Sequence, residues 1–217
     1  MSEMKLHTFF NSSASYRARI ALNLKGLEWE SIPVNLRTGE QSSNRFKNLN
    51  PVGMVPTLEH GEIRISQSIA IMDYLDQIQP LPLLIPNDPK DRQKVWEISL
   101  LIACEIHPLN NLRILKYLTG PLGLSDEVKN EWYKHWILEG FDSLEKLLIQ
   151  NPSTSGYCVG LTPTMADCCL VPQVANAKRM NINIDAYTRI NTINNFCLEN
   201  PAFQKAAPNQ QPDYVRA

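Results

Sequence analysis

Four prolines fall within ten residues of the stretch "QPLPLLIPNDP", at positions 80, 82, 86 and 89. Each fixes its own φ and removes a backbone donor, so no regular element runs through this stretch. Before it, short β-rich runs alternate with amphipathic segments. After it, the periodicity is helical alone. The prolines therefore predict a linker between two domains, residues 1–84 and 89–217.

In the first domain "MKLHTFF" has strand composition and "SSASYRARIALNLKG", Ser12 to Gly26, reads as a helix. Ser12, Ser13 or Ser15 supplies its N-cap, Ala18, Ala21, Leu22 and Leu24 its apolar face, and Lys25-Gly26 its stop. "WESIPVNL" is a second strand, and Pro33 assigns it to a sheet edge. "GEQSSNRFKNLNP" is a short helix or irregular crossover. "MVPTLEHGEIRIS" predicts a hairpin turning at His60-Gly61. "SQSIAIMDYLDQIQ" predicts a helix with a stripe of Ile69, Met72, Leu75 and Ile78. The order β-α-β-α-β-β-α gives a small mixed sheet, a thioredoxin-like α+β domain. An all-α bundle follows: one long helix over 89–118 kinked at Pro108, a second over 125–150 with Trp132, Trp136, Phe141, Leu144 and Leu148 inward, a third from Thr164, and more helix near 185–199. Thr164 and Asp167 form a capping box, which makes Asp167 structural.

Composition narrows the function. With 21 basic and 22 acidic residues the formal charge is −1, so the chain has no global field for nucleic acid or an acidic membrane surface. No apolar run approaches the ~20 residues of a membrane span. "MSEMKLHTFF" has no apolar core or cleavage-site pattern, so a cytoplasmic protein is expected. The five cysteines, at 104, 158, 168, 169 and 197, are odd in number and show no C-x-x-C spacing. His7, His60, His107 and His135 match no metal-ligand spacing. No metal site is expected. The first 103 residues hold no cysteine. Thioredoxin-like domains often work through a cysteine of their own; here, any thiol chemistry needs a thiol brought by a ligand.

Taken in order, "SSASYRARIALNLKG", "NLNPVGMVPTLE", "ISQSIAIMDYLD", "HPLNNLRIL" and "TMADCCLVPQVANAKR" resemble the zeta class of glutathione transferases, which includes maleylacetoacetate and maleylpyruvate isomerases. The likeness covers nearly the whole chain. It implies the glutathione transferase architecture, glutathione as cofactor and a homodimer. It also implies roles. Ser12 or Ser13 donates to the glutathione thiolate, within the segment Ser12, Ser13, Ala14, Ser15, Tyr16 and Arg17. Gln41 holds the glycine end. Val55, before a cis Pro56, pairs its backbone with the tripeptide as an added strand. Gln67 and Ser68, at a helix N-terminus, take the γ-glutamyl carboxylate. His107, Asn111, Leu112 and Arg113 contact glutathione from the same or the partner subunit. Arg17 and Arg179 are implied for the second substrate, because a guanidinium fork matches the carboxylates of a maleyl compound. The family often has cysteine where this chain has Ala14, which leaves a mechanism using the sulfur of glutathione alone.

The implied reaction is cis–trans isomerisation of maleylacetoacetate to fumarylacetoacetate: thiolate addition, rotation and elimination. Maleylpyruvate is the neighbouring substrate, conjugation of small electrophiles such as α-haloacids the neighbouring reaction. A binding module that kept the fold without catalysis is the alternative of another kind.

Overall fold

A computed structural model describes residues 3–153 and 155–215. Two compact units form, one from the residues up to Ile85 together with those from Leu198 onward, the other from Pro86–Cys197.

In the first unit β1 (Met4–Thr8) leads into α1 (Ser13–Leu24), then β2 (Glu30–Pro33), α2 (Asn44–Leu49), β3 (Thr57–His60), β4 (Ile63–Ser66) and α3 (Ser68–Ile78). The sheet runs β2-β1-β3-β4, so Pro33 does lie on an edge strand. β1 pairs parallel with β2 and antiparallel with β3, placing Leu6 opposite Leu58, both fully buried. The hairpin turns at Gly61 (φ 61°) and Glu62, because His60 pairs with Ile63 as the last rung. Ile20, Leu22, Ile71, Met72 and Leu75 complete the core beneath the sheet. The α3 stripe is rotated from the expected one. Ile71 takes the inward position, while Ile69 is half-buried and Ile78 is exposed.

The residues after Leu198, assigned from sequence to the helical domain, belong to this first unit. Arg19 supplies the reason. It is fully buried on α1, where its Nε donates to Ala206 O (3.0 Å) in α9 (Pro201–Ala206). Its Nη1 donates to Thr8 Oγ1 (3.0 Å) and Phe9 O (3.3 Å), its Nη2 to Phe10 O (3.1 Å). Burial lowers its pKa to about 10, yet it stays charged at neutral pH. Tyr16 Oη donates to Phe203 O, Asn23 Nδ2 to Ala202 O, and Phe10 N to Asp213 Oδ2. One buried guanidinium thus ties the end of β1 to a helix distant in sequence.

The start of the proline-rich stretch is also tied down. The buried Lys25 ammonium pairs with Asp76 (2.5 Å) and donates to Gln79 O and Pro82 O. The Asp76 carboxylate in turn accepts from Leu84 N and Ile85 N.

In the second unit α4 (Pro89–Leu100) does not continue to residue 118. It passes into a π-helical turn (Leu101–Ile106) and a 3₁₀ turn (Pro108–Asn110), and α5 (Leu112–Thr119) restarts from Asn111. Pro108 cannot donate, and the Asn111 side chain caps the new helix by accepting from Arg113 N. α6 (Asp126–Gln150) buries Tyr133, Ile137, Phe141, Leu144 and Leu148. Trp132 and Trp136 were expected inward; both are half-buried, packed edge to face at 5.6 Å. The true i, i+4 stripe starts one residue later, at Tyr133. α7 (Met165–Arg179) and α8 (Thr188–Leu198) complete the unit. The capping box forms as expected: Asp167 Oδ2 accepts from Thr164 N (2.7 Å) and Thr164 Oγ1 (2.9 Å), and Oδ1 accepts from Cys158 N (2.7 Å).

Candidate active site

The segment between β1 and α1 holds the densest set of candidates. Ser12 is the N-cap; its Oγ accepts from Ser15 N at 3.2 Å, while its own N–H donates to Phe9 O. The N–H groups of Ser13 and Ala14 open the helix, where no intrahelical acceptor exists for them. The first turn contains no acidic residue. Ser13 is buried, and Ser15 is wholly buried with an Oγ that has no hydrogen-bond partner among the described residues. Tyr16 is turned away from this opening, its hydroxyl committed to α9. The result is a positively polarised helix end rich in hydroxyls, with no carboxylate of its own.

Arg17 is 2% exposed, and its Nη1 reaches Ser68 Oγ at 3.4 Å. The structure therefore joins two candidates that are separate in sequence: the α1 arginine and the first residue of α3. Gln67, just before, has φ 85° and ψ 115°. A left-handed φ on a glutamine is strained, and such strain gathers at functional positions. Here it turns the chain sharply into α3, whose first turn also lacks an acid.

The Val55–Pro56 peptide is cis, as expected. The loop leading to it is shaped by a residue the sequence reading overlooked. Asn50 is buried; its Nδ2 donates to Met54 O (2.7 Å) and Thr57 Oγ1 (3.0 Å), and its Oδ1 accepts from Val52 N (3.0 Å). The Asn-Pro-Val-Gly run was a visible turn signal. Val55 anchors the loop by packing with Phe9, Phe10, Val34 and Phe46. At Gly53 (φ 65°) a Cβ would lie 3.1 Å from the Gln41 carbonyl oxygen, so the loop and the Gln41 turn are held close. The Gln41 side-chain oxygen is buried without a partner among the described residues.

The remaining candidates lie in the second unit. His107 is half-buried at the end of the π-helical turn, its N–H bonded to Ile102 O. The Asn111 carboxamide oxygen is the cap of α5, and Leu112 and Arg113 are exposed on its first turn. Arg179 is exposed at the last position of α7 and acts on Tyr133 of α6. Four of the five cysteines are buried. Burial, with the Asp167 carboxylate, pushes the Cys158 and Cys197 thiols well up, which makes them poor nucleophiles. Among the described residues no acid, histidine and cysteine cluster of metal-binding size occurs, and no helix is long and apolar enough to cross a membrane.

Known proteins place this geometry. Residues 2–77 match the family model for the glutathione S-transferase N-terminal domain. A probable maleylacetoacetate isomerase of Vibrio cholerae is 46% identical over 98% of this chain and 99% of its own. The holo structure of a maleylpyruvate isomerase, described as a bacterial zeta-class glutathione S-transferase, is 43% identical with a TM-score of 0.95 over 97% of this chain and 100% of its own. A maleylacetoacetate isomerase from Methylobacterium extorquens AM1, crystallised with malonate and glutathione, is 31% identical with a TM-score of 0.94 over 98% of this chain and 100% of its own. Two helix starts without acids, joined through Arg17 and Ser68, thus stand on a scaffold shared along nearly its whole length, and the chain belongs to the zeta-class glutathione transferase family of maleylacetoacetate and maleylpyruvate isomerases.

Proposed function

We propose that this protein is a glutathione-dependent maleylacetoacetate isomerase, converting the cis substrate to fumarylacetoacetate. The observation that carries the reaction is the 46% identity to an isomerase of that name over nearly the full chain.

The first unit fits glutathione in three respects. The α1 start offers N–H groups and hydroxyls to an anion and brings no competing carboxylate. The α3 start offers Ser68 beside the buried Arg17 charge to a carboxylate. Gln41 carries a buried, unfilled acceptor beside the Val55–Pro56 loop. When bound, glutathione supplies the sulfur nucleophile whose reversible addition makes the cis double bond single, and so free to rotate, before it leaves. The protein's part is electrostatic. A free thiol has a pKa near ~8.5. Holding it two units lower requires about 2.7 kcal/mol of preference for the thiolate. One charge-assisted hydrogen bond at about 1.5–3 kcal/mol and a helix N-terminus at about 0.3–1 kcal/mol together supply that. In this reading Ser12 or Ser13 donates to the sulfur. Gln67 and Ser68 hold the γ-glutamyl end with Arg17 behind them, since Arg17, expected at the second substrate, is buried against Ser68; Gln41 and Val55 hold the rest of the tripeptide. His107 and the Asn111–Arg113 turn contribute from one subunit or the other of a cytoplasmic homodimer. Arg179 would bind a substrate carboxylate and hold its positive charge near the conjugated carbonyl.

Maleylpyruvate is a second reading, favoured by the likeness to the maleylpyruvate isomerase. Incubation with either substrate, with and without glutathione, tests both. The expected result is trans product from maleylacetoacetate only when glutathione is present, with total glutathione unchanged. A stoichiometric loss of glutathione would make the protein a conjugating transferase, and no product with either substrate would make it a binding module.

A further inference from the structure

Gly140 lies in the interior of α6, where no turn asks for a glycine. Glycine there is destabilising relative to alanine, so its presence needs a reason. The reason is on the facing segment. A Cβ on Gly140 would overlap Ile106 Cγ1 and lie 2.5 Å from its Cδ1 and 3.4 Å from its Cβ. Ile106 is 1% exposed, and a β-branched side chain has few rotamers into which it can retreat. The missing side chain is a notch in α6, and Ile106 fills it.

Ile106 ends the π-helical turn, and the His107 N–H donates to Ile102 O, five residues back, at 3.0 Å. A π turn holds one residue more than an α turn. It therefore rotates the side chains after it by about 100° relative to an uninterrupted α-helix. Such turns are rare and gather at functional sites. Here α6 grips the chain on both sides of His107. Before it, Ile106 sits in the notch. After it, Trp132 Nε1 donates to Leu109 O at 2.9 Å, and Asn110 Nδ2 donates to Tyr133 O at 3.1 Å. His107 itself is only half-buried. Its direction is set by the turn that carries it.

We propose that Gly140 is a positioning residue: its bare backbone seats Ile106, fixes the π-helical turn, and so sets the direction from which His107 meets glutathione. This inference rests on His107 being a glutathione contact.

Glutathione affinity by calorimetry, read on variants that circular dichroism shows to be folded, tests it. Gly140→Ala is expected to weaken binding about 3- to 10-fold, the scale of one hydrogen bond, because the added methyl drives Ile106 from its seat. In the His107→Ala background the same change adds nothing, since no imidazole is left to misplace. Ile106→Ala opens the notch from the other side without overlap. It is expected to weaken binding too, and Gly140→Ala in that background should restore part of the loss by refilling the space. If Gly140→Ala alone does not fold, the Ile106→Ala pair decides: binding unchanged, or not recovered in the double variant, overturns the proposal. Wild-type affinity in folded Gly140→Ala, with His107→Ala weakened, overturns the role of Gly140 and leaves the functional reading intact. An equal loss with and without His107 reduces Gly140 to a packing residue and overturns it as well. Unchanged affinity in His107→Ala removes that histidine from the glutathione site and the inference with it, while isomerisation of the maleyl substrate judges the functional reading separately.

Discussion

The starts of α1 and α7 carry the same cap in sequence and meet opposite fates. Both have a hydroxyl residue at the N-cap and a polar residue three positions on: Ser12 and Ser15 in one, Thr164 and Asp167 in the other. At α7 the third residue is an acid. Asp167 is fully buried, and its oxygens accept from Thr164 N, Thr164 Oγ1 and Cys158 N, with the Cys197 thiol at 3.6 Å. That helix end is filled by its own protein. At α1 the third residue is Ser15, whose N–H satisfies the cap but whose Oγ finds no partner among the described residues. The difference is one carboxylate. A helix start that carries its own anion is a structural joint, and one that lacks it stays open to an anion from outside.

Three substitutions press on this contrast. The largest effect belongs to the filled end. Asp167→Ala strands buried donors of Thr164 and Cys158 and is expected to cost about 3–5 kcal/mol in urea unfolding. A loss below about 1 kcal/mol, the worth of an ordinary cap, would mean that the end of α7 is not specially built. Next, Ser15→Asp gives α1 the carboxylate that α7 has. Because Ser15 is fully buried, the new carboxylate should cost the fold about 1–3 kcal/mol, while glutathione affinity of the folded protein by calorimetry drops about 100-fold, since two anions cannot share one helix end. Wild-type affinity in that variant would move the anion site elsewhere. The smallest effect is that of Ser12→Ala. Stability should fall by about 1 kcal/mol. The thiol of bound glutathione, followed by thiolate absorbance, should titrate about one unit closer to its free value. A titration unchanged from wild type would assign the thiolate to Ser13 or to the N–H groups alone.

Much of this was legible beforehand because it is local. The caps of α1 and α7, the edge proline and the proline break each depend on residues a few positions apart, and they emerged where the local chemistry put them; the hairpin formed with its turn one residue later, at Gly61-Glu62. What failed were readings of phase and of distance. On α6 the tryptophans suggested one face, yet Tyr133, one residue over, leads the buried stripe, and the indoles stay half-buried. A hydrophobic residue declares that it prefers burial without saying which neighbour will cover it. Along 89–118 the apolar periodicity continued, but Pro108 and Asn111 together restarted the helix.

The sequence by itself determined the sites of polar, acid-free helix starts, the absence of a cysteine in the first unit, and a boundary at the prolines. Only the tertiary structure decided that Arg17 meets Ser68, that Asn50 shapes the loop before Pro56, and that Arg19 draws residues after Leu198 back onto α1. The physical reason is that a buried polar group must find partners wherever the packed chain offers them. For Arg19 the partner lies 187 residues away, beyond the range of any local pattern.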